Sequence, residues 1–263
     1  RLVQDSPYGW EQVAGIGAGI PGFMDVEQGY MHYSANLPLT DVPLKNILEE
    51  RFGKPVAIGN DANAAALGEA WSGAARGVPI SVMYTLGTGV GGGIVIDGKV
   101  IAGATGMAGE LGHMTVVPDL EAIHCGCGKM GCLETVSSAT GIIRMANDAV
   151  KRGDRTMLAD LKTITAKDVF DAARAEDETA LRIVQRAAYY LAKSMAAVAL
   201  VVNPHRFVIG GGVSRAGDLL LNPVRESFRE LAQPRAQEGI EIVAAALGND
   251  AGMIGAAGLC LNR

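Results

Sequence analysis

The sequence predicts an α/β fold, and three observations support this class. Short apolar runs with strand character, such as 55–58, 80–86 and 206–209, alternate with helical stretches along the chain. Glycine is abundant, at 35 of 263 residues, and several glycines stand where an apolar run gives way to a helix. Apolar residues make up 49% and aromatic residues only 5%, which suits a sizeable core with many tight strand–helix turns.

The bounds of the predicted helices and strands follow from local capping, turn and helix-ending residues. Asp41 and Pro43 mark the start of a short helix, because Asp is a good N-cap and proline is tolerated in a first helical turn. Asp97-Gly98 predicts a tight turn between strands, and Asn203-Pro204 ends a long helix. Strands are predicted over 13–20, 30–34, 55–58, 80–86, 93–96, 99–101, 206–209 and 240–246, and helices over 43–52, 62–71, 134–151, 165–175, 177–202, 223–231 and 250–261.

Charge and hydropathy exclude some classes of function. The formal net charge is −5 and no basic block is present, so a nucleic-acid surface is not expected. The most apolar helical run, 194–202, is too short to span a bilayer. No signal peptide is evident, and three of the four cysteines stand in one cluster, which is typical of a reducing cytoplasm.

A glycine-rich loop follows the strand predicted over 80–86. It reads Gly87-Thr88-Gly89-Val90-Gly91-Gly92-Gly93. Residues without a Cβ let backbone N–H groups approach an anion closely, so the loop is a candidate phosphate cradle. A glycine-rich hairpin without any ligand would look similar. A second glycine cluster, 210–212, also follows a strand and precedes a helix, where it serves equally well as a tight turn.

Asn60 and Asp61 stand where the strand over 55–58 passes into the helix over 62–71. Ligands of open α/β sheets bind at the carboxyl ends of strands, and a helix N-terminus favours an ionised carboxylate. The same two residue types are also common helix caps. The position therefore predicts either a cap or a functional carboxylate.

The cysteines Cys125, Cys127 and Cys132 lie within eight residues that also contain three glycines. Such a knuckle can direct three sulfurs at one centre, and a closed tetrahedral zinc site needs one more ligand. His124 adjoins the knuckle, so its side chain would point away, whereas His113 can fold back from a neighbouring loop. Free or disulfide-bonded thiols are the alternative, which the absence of a secretory signal disfavours.

These features together resemble the ROK family of sugar kinases and related repressors. The resemblance rests on the glycine loop, on GELGH (109–113), on CGCGKMGCLE (125–134), and on GNDANAAALGE (59–69), IGGGVS (209–214) and LGNDAGMIGAA (247–257). The run CLETVSSATGI (132–142) is most similar to the glucokinase branch. The resemblance implies an actin-like, ribonuclease-H-like fold with two lobes. On that basis residues 1–59 with 249–263 form the small lobe and residues 60–248 the large lobe.

The resemblance also implies roles for individual residues. Asp61 would be the general base in ATP-dependent phosphorylation of glucose at its C6 hydroxyl, with magnesium accompanying ATP. Structural zinc, a homodimer and a cytoplasmic location are likewise implied. Sugar contacts are assigned to Asn36, Asn60, Asp61, Glu110, His113 and Glu134, nucleotide contacts to Gly87, Thr88, Gly89, Gly210, Gly211 and Gly212, and zinc ligands to His113, Cys125, Cys127 and Cys132.

Two alternatives remain at the level of sequence. The substrate could be another hexose or an N-acetylhexosamine such as N-acetylmannosamine, since pocket shape separates these. The chain could instead belong to a sugar-sensing regulator, which binds a sugar without phosphorylating it. Family kinases open with a DxGGT-type loop that contacts phosphates and magnesium, whereas regulators carry a helix-turn-helix. Neither precedes residue 13, so we expect the first segment of the family to be missing, and no magnesium ligand is assigned.

Overall fold

A computed structural model describes residues 3–34 and 37–261. Its largest sheet has five strands in the order β10-β9-β6-β7-β8. They are β6 (Ile80–Leu86), β7 (Val90–Ile96), β8 (Lys99–Val100), β9 (Arg206–Gly210) and β10 (Glu241–Ala244). The β6–β7 pair is an antiparallel hairpin, whereas β9 runs parallel to both β6 and β10. The carboxyl ends of β6, β9 and β10 therefore share one edge of the sheet.

Two smaller sheets precede this one in the chain. The first pairs β1 (Ile16–Ile20) in parallel with β5 (Val56–Asn60), so that Ile20 lies opposite Asn60. The second is antiparallel, in the order β2-β3-β4, with β2 (Phe23–Asp25), β3 (Tyr30–Tyr33) and β4 (Thr40–Val42). Both sheets contribute to one apolar core, which includes Met24, Met31, Val56 and Ile58.

Helices flank the sheets, and most of the remaining core lies between them and the five-stranded sheet. The closing helix α9 packs closely on α2 and also contacts β1. The helices are α1 (Leu44–Phe52), α2 (Asp61–Ser72), α3 (Glu134–Ser137), α4 (Ala139–Arg152), α5 (Ala166–Arg174), α6 (Glu178–Val201), α7 (Asp218–Leu231), α8 (Pro234–Gln237) and α9 (Ala251–Leu259).

The predicted α/β class is confirmed, and the stripe Ala187, Leu191, Met195 and Val198 of α6 is buried as expected. The continuous helix predicted over 134–151 is wrong. Extended backbone at Ser138 (φ −78°, ψ 163°) divides it into α3 and α4, and the Ser138 hydroxyl accepts a hydrogen bond from Gly141 N–H as the cap of α4. The polar side chain competes for backbone donors, which sequence periodicity does not reveal.

Other differences are at element ends. Helix α7 begins at Asp218, five residues before Pro223, which lies inside the helix instead of starting it. The three-residue strands β2 and β4 were not predicted, because so short a run carries little periodicity. None of the helices in the described ranges is long and apolar enough to cross a membrane. The division into lobes over 1–59 with 249–263 and over 60–248 stays a prediction.

Candidate active site

A cleft of about 380 Å³ opens where the parallel pair β1–β5 meets the β6–β7 hairpin. The turn after β1, the β5–α2 junction, the hairpin turn and the loop before the thiol cluster all contribute to it. Sequence segments more than 100 residues apart are thereby brought to one surface. The lining residues are Pro21, Gly22, Phe23, Asn60, Asp61, Ala62, Thr85, Gly87, Gly89, Val90, Gly91, Gly92, Glu110, His113, Glu134 and Gly211.

Asn60 and Asp61 occupy the junction between β5 and α2. The Asn60 Oδ1 atom caps the helix, accepting from Ala62 N–H at 2.9 Å and Asn63 N–H at 3.2 Å. Asp61 Oδ1 also accepts from Ala62 N–H at 2.9 Å, and its side chain is exposed at the cleft. The cap is therefore mainly Asn60, which leaves the second carboxylate oxygen of Asp61 available to a ligand.

The glycine loop is the turn of the β6–β7 hairpin, closed by a hydrogen bond from Gly87 N–H to Gly89 O at 3.0 Å. A side chain at Gly89 would collide with the carboxylate of Glu134. That carboxylate accepts from Val90 N–H at 2.9 Å, so the first residue of α3 is hydrogen-bonded to the base of the turn. Gly87 and Gly89 line the cleft, and Thr88 is exposed at the tip without lining it.

Glu110 and His113 lie on the opposite side of the cleft, at a 3-10 turn over Leu111–His113. Gly109 just before them adopts φ +89°, a left-handed conformation that favours glycine. The Nε2 atom of His113 lies 3.9 Å from Glu110 Oε2. Burial raises the pKa of Glu110; His113 opposes that shift, while the carboxylates of Asp61 and Glu134 add to it.

Four metal-ligating side chains converge behind this turn. The donor atoms of His113, Cys125, Cys127 and Cys132 all lie within 4.8 Å of one another. Cys125 Sγ is 3.7 Å from His113 Nδ1, and Cys127 Sγ is 3.6 Å from Cys132 Sγ. Tetrahedral zinc with Zn–S bonds of about 2.3 Å would hold two sulfurs about 3.8 Å apart, so the spacing fits zinc. His124 is not part of this group.

The thiols differ in their surroundings. Burial raises the pKa of Cys125 to about 12, and it also raises the pKa of Cys132. Burial acts in the same direction on exposed Cys127, but hydrogen bonds from Lys129 N–H and the Cys125 thiol lower its pKa. Thiols held this close together favour a shared cation, because zinc binds thiolates and relieves their mutual repulsion.

The second glycine cluster, 210–212, contributes fewer residues to the cleft than the resemblance implies. Gly211 lines the cleft, with φ +85° and its backbone against Leu86 at the end of β6. Gly210 is buried in β9, and Gly212 is exposed outside the lining. Asn36 lies outside the described residues.

Sequence reasoning missed the segment Pro21–Phe23 and Thr85, which also line the cleft. Pro21 directly follows β1, and β1 ends beside Asn60 because the two strands are parallel and in register. The rule that ligands bind at the carboxyl ends of parallel strands would have identified this segment, had the β1–β5 pairing been recognised.

A larger cavity of about 760 Å³ lies at the other end of the five-stranded sheet, around the amino ends of β9 and β10. Two of its three arginines, Arg206 and Arg225, are occupied in structural contacts. Arg206 pairs with Glu241 and donates to Ala74 O, and Arg225 donates to Ile242 O. The cleft at Asp61 combines carboxylates, an imidazole and glycine backbone, and is the candidate active site.

Comparison with known proteins identifies the family of this chain. The ROK family model matches residues 1–263. A glucokinase from Halalkalibacterium halodurans is 51% identical over 92% of this chain and 74% of its own length. The structure of a ROK family glucokinase from Streptomyces griseus, in complex with glucose and AMPPNP, superposes with a TM-score of 0.81. It is 36% identical, with 96% of this chain and 83% of that chain covered.

A ROK family transcriptional regulator, a homolog of the E. coli MLC protein, superposes with a TM-score of 0.85 at 31% identity. The match covers 93% of this chain but 61% of the regulator. Kinases and regulators therefore share this architecture, and fold similarity alone does not separate them. The family itself is shown by the match over all 263 residues, and this chain belongs to the ROK family.

Proposed function

We propose that this protein transfers the γ-phosphoryl group of ATP to the C6 hydroxyl of glucose. The observation that carries the proposal is the convergence of Asp61 and the glycine turn Gly87–Gly89 on one cleft. Phosphoryl transfer to an alcohol needs an aligned hydroxyl, a base for its proton, and donors around the phosphates. The identity of 51% to a glucokinase, over 92% of this chain, supports the same reaction.

In this proposal Asp61 is the general base. Its free carboxylate oxygen accepts the proton of the C6 hydroxyl as that oxygen attacks the γ-phosphorus. Such a base contributes about a hundred- to ten-thousand-fold in rate. Asn60 uses Oδ1 as a helix cap, so only its Nδ2 group is left to donate to a sugar hydroxyl.

Glu110, His113 and Glu134 would bind the other sugar hydroxyls. The Nδ1 atom of His113 faces the thiols, and its Nε2 atom lies on the Glu110 side. A metal on Nδ1 fixes Nε2 as an N–H donor, suited to a hydroxyl oxygen. Ionised carboxylates accept strong, directional hydrogen bonds from a polyol. Asn36 stays a prediction for this sugar site.

The nucleotide would lie along the turn Gly87-Thr88-Gly89, with Gly211 on its other side. Successive backbone N–H groups at such a turn donate to phosphate oxygens. Magnesium would accompany ATP and neutralise charge on the phosphates. No magnesium ligand is assigned from this chain. Gly210 and Gly212, outside the cleft lining, would only shape the turn that presents Gly211.

We further propose that His113, Cys125, Cys127 and Cys132 hold one zinc ion. Three thiolates and one imidazole complete a tetrahedral shell, so the ion would brace the loop and not activate water. A cytoplasmic location, which reduced clustered thiols would suit, and a homodimer stay predictions. Elemental analysis of purified protein should find one zinc per chain. Protein without zinc would contradict the proposed metal site.

A sugar-sensing regulator is the second candidate, favoured by the TM-score of 0.85 to the ROK regulator. A coupled ATP assay with glucose, mannose, N-acetylmannosamine and N-acetylglucosamine separates the possibilities. The proposal expects turnover with glucose well above that with the N-acetylhexosamines. Faster turnover with an N-acetylhexosamine would reassign the substrate. Sugar binding without any turnover would favour the regulator.

A further inference from the structure

The glycine turn Gly87–Gly89 accepts hydrogen bonds from the segment that follows the thiol cluster. Two residues of the turn, and the residue that directly follows it, have partners there. Gly87 O accepts from Ala139 N–H at 2.8 Å, and Thr88 O accepts from the Thr140 hydroxyl at 2.8 Å. Val90 N–H donates to Glu134 at 2.9 Å. The conformation of the turn therefore depends on the start of α4 as well as on the hairpin.

The two carbonyl contacts determine where the neighbouring N–H groups point. In a planar trans peptide the N–H lies opposite the preceding C=O. Because the carbonyls of Gly87 and Thr88 face α4, the N–H groups of Thr88 and Gly89 face away from it. Neither N–H has an acceptor within the described part of the chain. Two neighbouring N–H groups without acceptors, one of them on the cleft-lining residue Gly89, are suited to phosphate oxygens.

We propose that Thr140 is a positioning residue for the nucleotide: its hydroxyl fixes the Thr88–Gly89 peptide so that Gly89 N–H faces the phosphates of ATP. This inference rests on the proposed function. Thr140 does not line the cleft, so it acts through the turn and not by touching ATP. The Gly87 carbonyl is held by a backbone donor that no side-chain change removes. The Thr140 hydroxyl is thus the one of these two carbonyl contacts that a side-chain substitution can remove.

Helix α4 does not need the Thr140 hydroxyl for its own stability. Ser138 caps the helix by accepting from Gly141 N–H at 2.9 Å. Thr140 is exposed, and the Thr88 carbonyl is the partner of its hydroxyl. Removing that hydroxyl should therefore change the turn while leaving helix and fold intact.

The test compares Thr140→Val, which is nearly isosteric, with Thr140→Ser, which keeps the hydroxyl. Thr163→Val makes the same chemical change at an exposed site that does not line the cleft. For each variant, KM for ATP and for glucose are measured in the coupled assay. AMPPNP affinity is measured by calorimetry, and the melting temperature is recorded.

Thr140→Val should raise the ATP KM and weaken AMPPNP binding about three- to tenfold, the worth of one neutral hydrogen bond. Glucose KM and the melting temperature should stay unchanged, and Thr140→Ser and Thr163→Val should match wild type. Unchanged AMPPNP affinity in Thr140→Val, with wild type turning over glucose, would overturn the inference alone. Equal rises in both KM values with a lower melting temperature would also overturn it. Wild-type protein that binds no nucleotide would overturn the proposed function and this inference together.

Discussion

The two walls of the cleft are built in different ways. The wall that carries Asp61 is regular: β5 pairs in parallel with β1, passes directly into α2, and Asn60 caps the helix. The wall that carries Glu110 and His113 is irregular. Between β8 and α3, over residues 101–133, it holds one 3-10 turn and the isolated bridges Thr115↔Cys132 and His124↔Met130.

The difference lies in what fixes each functional side chain. Backbone hydrogen bonds and a helix cap hold Asp61, so its side chain can be changed without loss of the wall. A short 3-10 turn, left-handed glycines and the thiol cluster hold His113 and the adjoining Glu110. Gly103, Gly106, Gly109, Gly128 and Gly131 all have positive φ, and the thiol–imidazole cluster brings His113, inside the loop, against the cysteines near its end. The irregular wall should therefore be the one that fails when its cross-links are removed.

The largest effect is expected on the regular wall. Asp61→Asn should reduce turnover about a hundred- to ten-thousand-fold, because an amide cannot accept the hydroxyl proton. Glucose affinity, measured by calorimetry, should change little, and the melting temperature should stay the same. Turnover close to that of wild type would remove Asp61 from its role. A large loss of stability would show that the regular wall depends on the Asp61 side chain and not on its backbone hydrogen bonds and cap.

The next effect concerns the irregular wall. Removing the proposed zinc with a chelator, or replacing Cys132 by Ser, should raise the glucose KM about tenfold, because groups that orient a site typically cost tenfold or more when lost. The effect on ATP KM should be smaller. Cys260→Ser, which changes a half-buried thiol at the end of α9, is the matched control and should behave as wild type. A glucose KM unaffected by chelation would contradict the proposed role of the metal.

A third prediction concerns the far end of α2. Glu69 is fully buried, and its carboxylate accepts from the N–H groups of Ala74, Ala246 and Leu247 at 2.6, 3.1 and 2.8 Å. It thereby links the helix bearing Asp61 to the segment before α9. Glu69→Gln places an amide N–H against a backbone N–H and should lower the free energy of unfolding by about 2–3 kcal/mol.

Denaturant titration measures that loss, with exposed Glu50→Gln as the matched control. Glu50→Gln should leave the free energy of unfolding unchanged. Both KM values of Glu69→Gln should stay near wild type, since the regular wall keeps its shape until it unfolds. Stability equal to wild type in Glu69→Gln would show that the buried carboxylate does not hold this wall.

The smallest effect is expected outside both walls, at the start of α6. Burial tends to raise the pKa of Asp177, but hydrogen bonds from Ala180 and Met157 N–H hold it below the usual 3.8. The ionised form therefore stabilises the fold above about pH 4, and this advantage is lost as pH falls through the lowered pKa.

Asp177→Asn keeps an acceptor for Ala180 N–H but loses the charge and turns its amide group toward Met157 N–H at this exposed contact, so it should cost about 1 kcal/mol at pH 7. The difference should vanish near pH 2 in parallel urea titrations. Kinetic constants should not change, because α6 lies outside the cleft lining. A difference that persists or grows in acid would show that the charge is not its source.

The contrast between the walls also explains what the sequence could predict. The β5–α2 junction follows from an apolar run, a cap signal and a helix, so Asn60 and Asp61 were placed correctly at its start. The hairpin around 87–89 could likewise be predicted from the sequence, since two apolar runs flank the glycines. Regular elements carry their own local signals.

The irregular wall depends on contacts between residues far apart in sequence. Spacing alone indicated a thiol knuckle but did not predict that Glu134 would hydrogen-bond Val90 N–H across 44 residues. The break at Ser138, which brings Thr140 against the turn, was likewise absent from the helical pattern. Tertiary hydrogen bonds of this kind have no periodic signature, so only the structure reveals them.

The most direct test of the account is a crystal structure of the protein with glucose and AMPPNP. The account predicts that the glucose C6 oxygen lies about 2.6–3.2 Å from the Asp61 carboxylate, with the γ-phosphate against Gly89 N–H and His113 Nε2 on the opposite side of the sugar. Glucose bound elsewhere, or with its C6 hydroxyl directed away from Asp61, would contradict it.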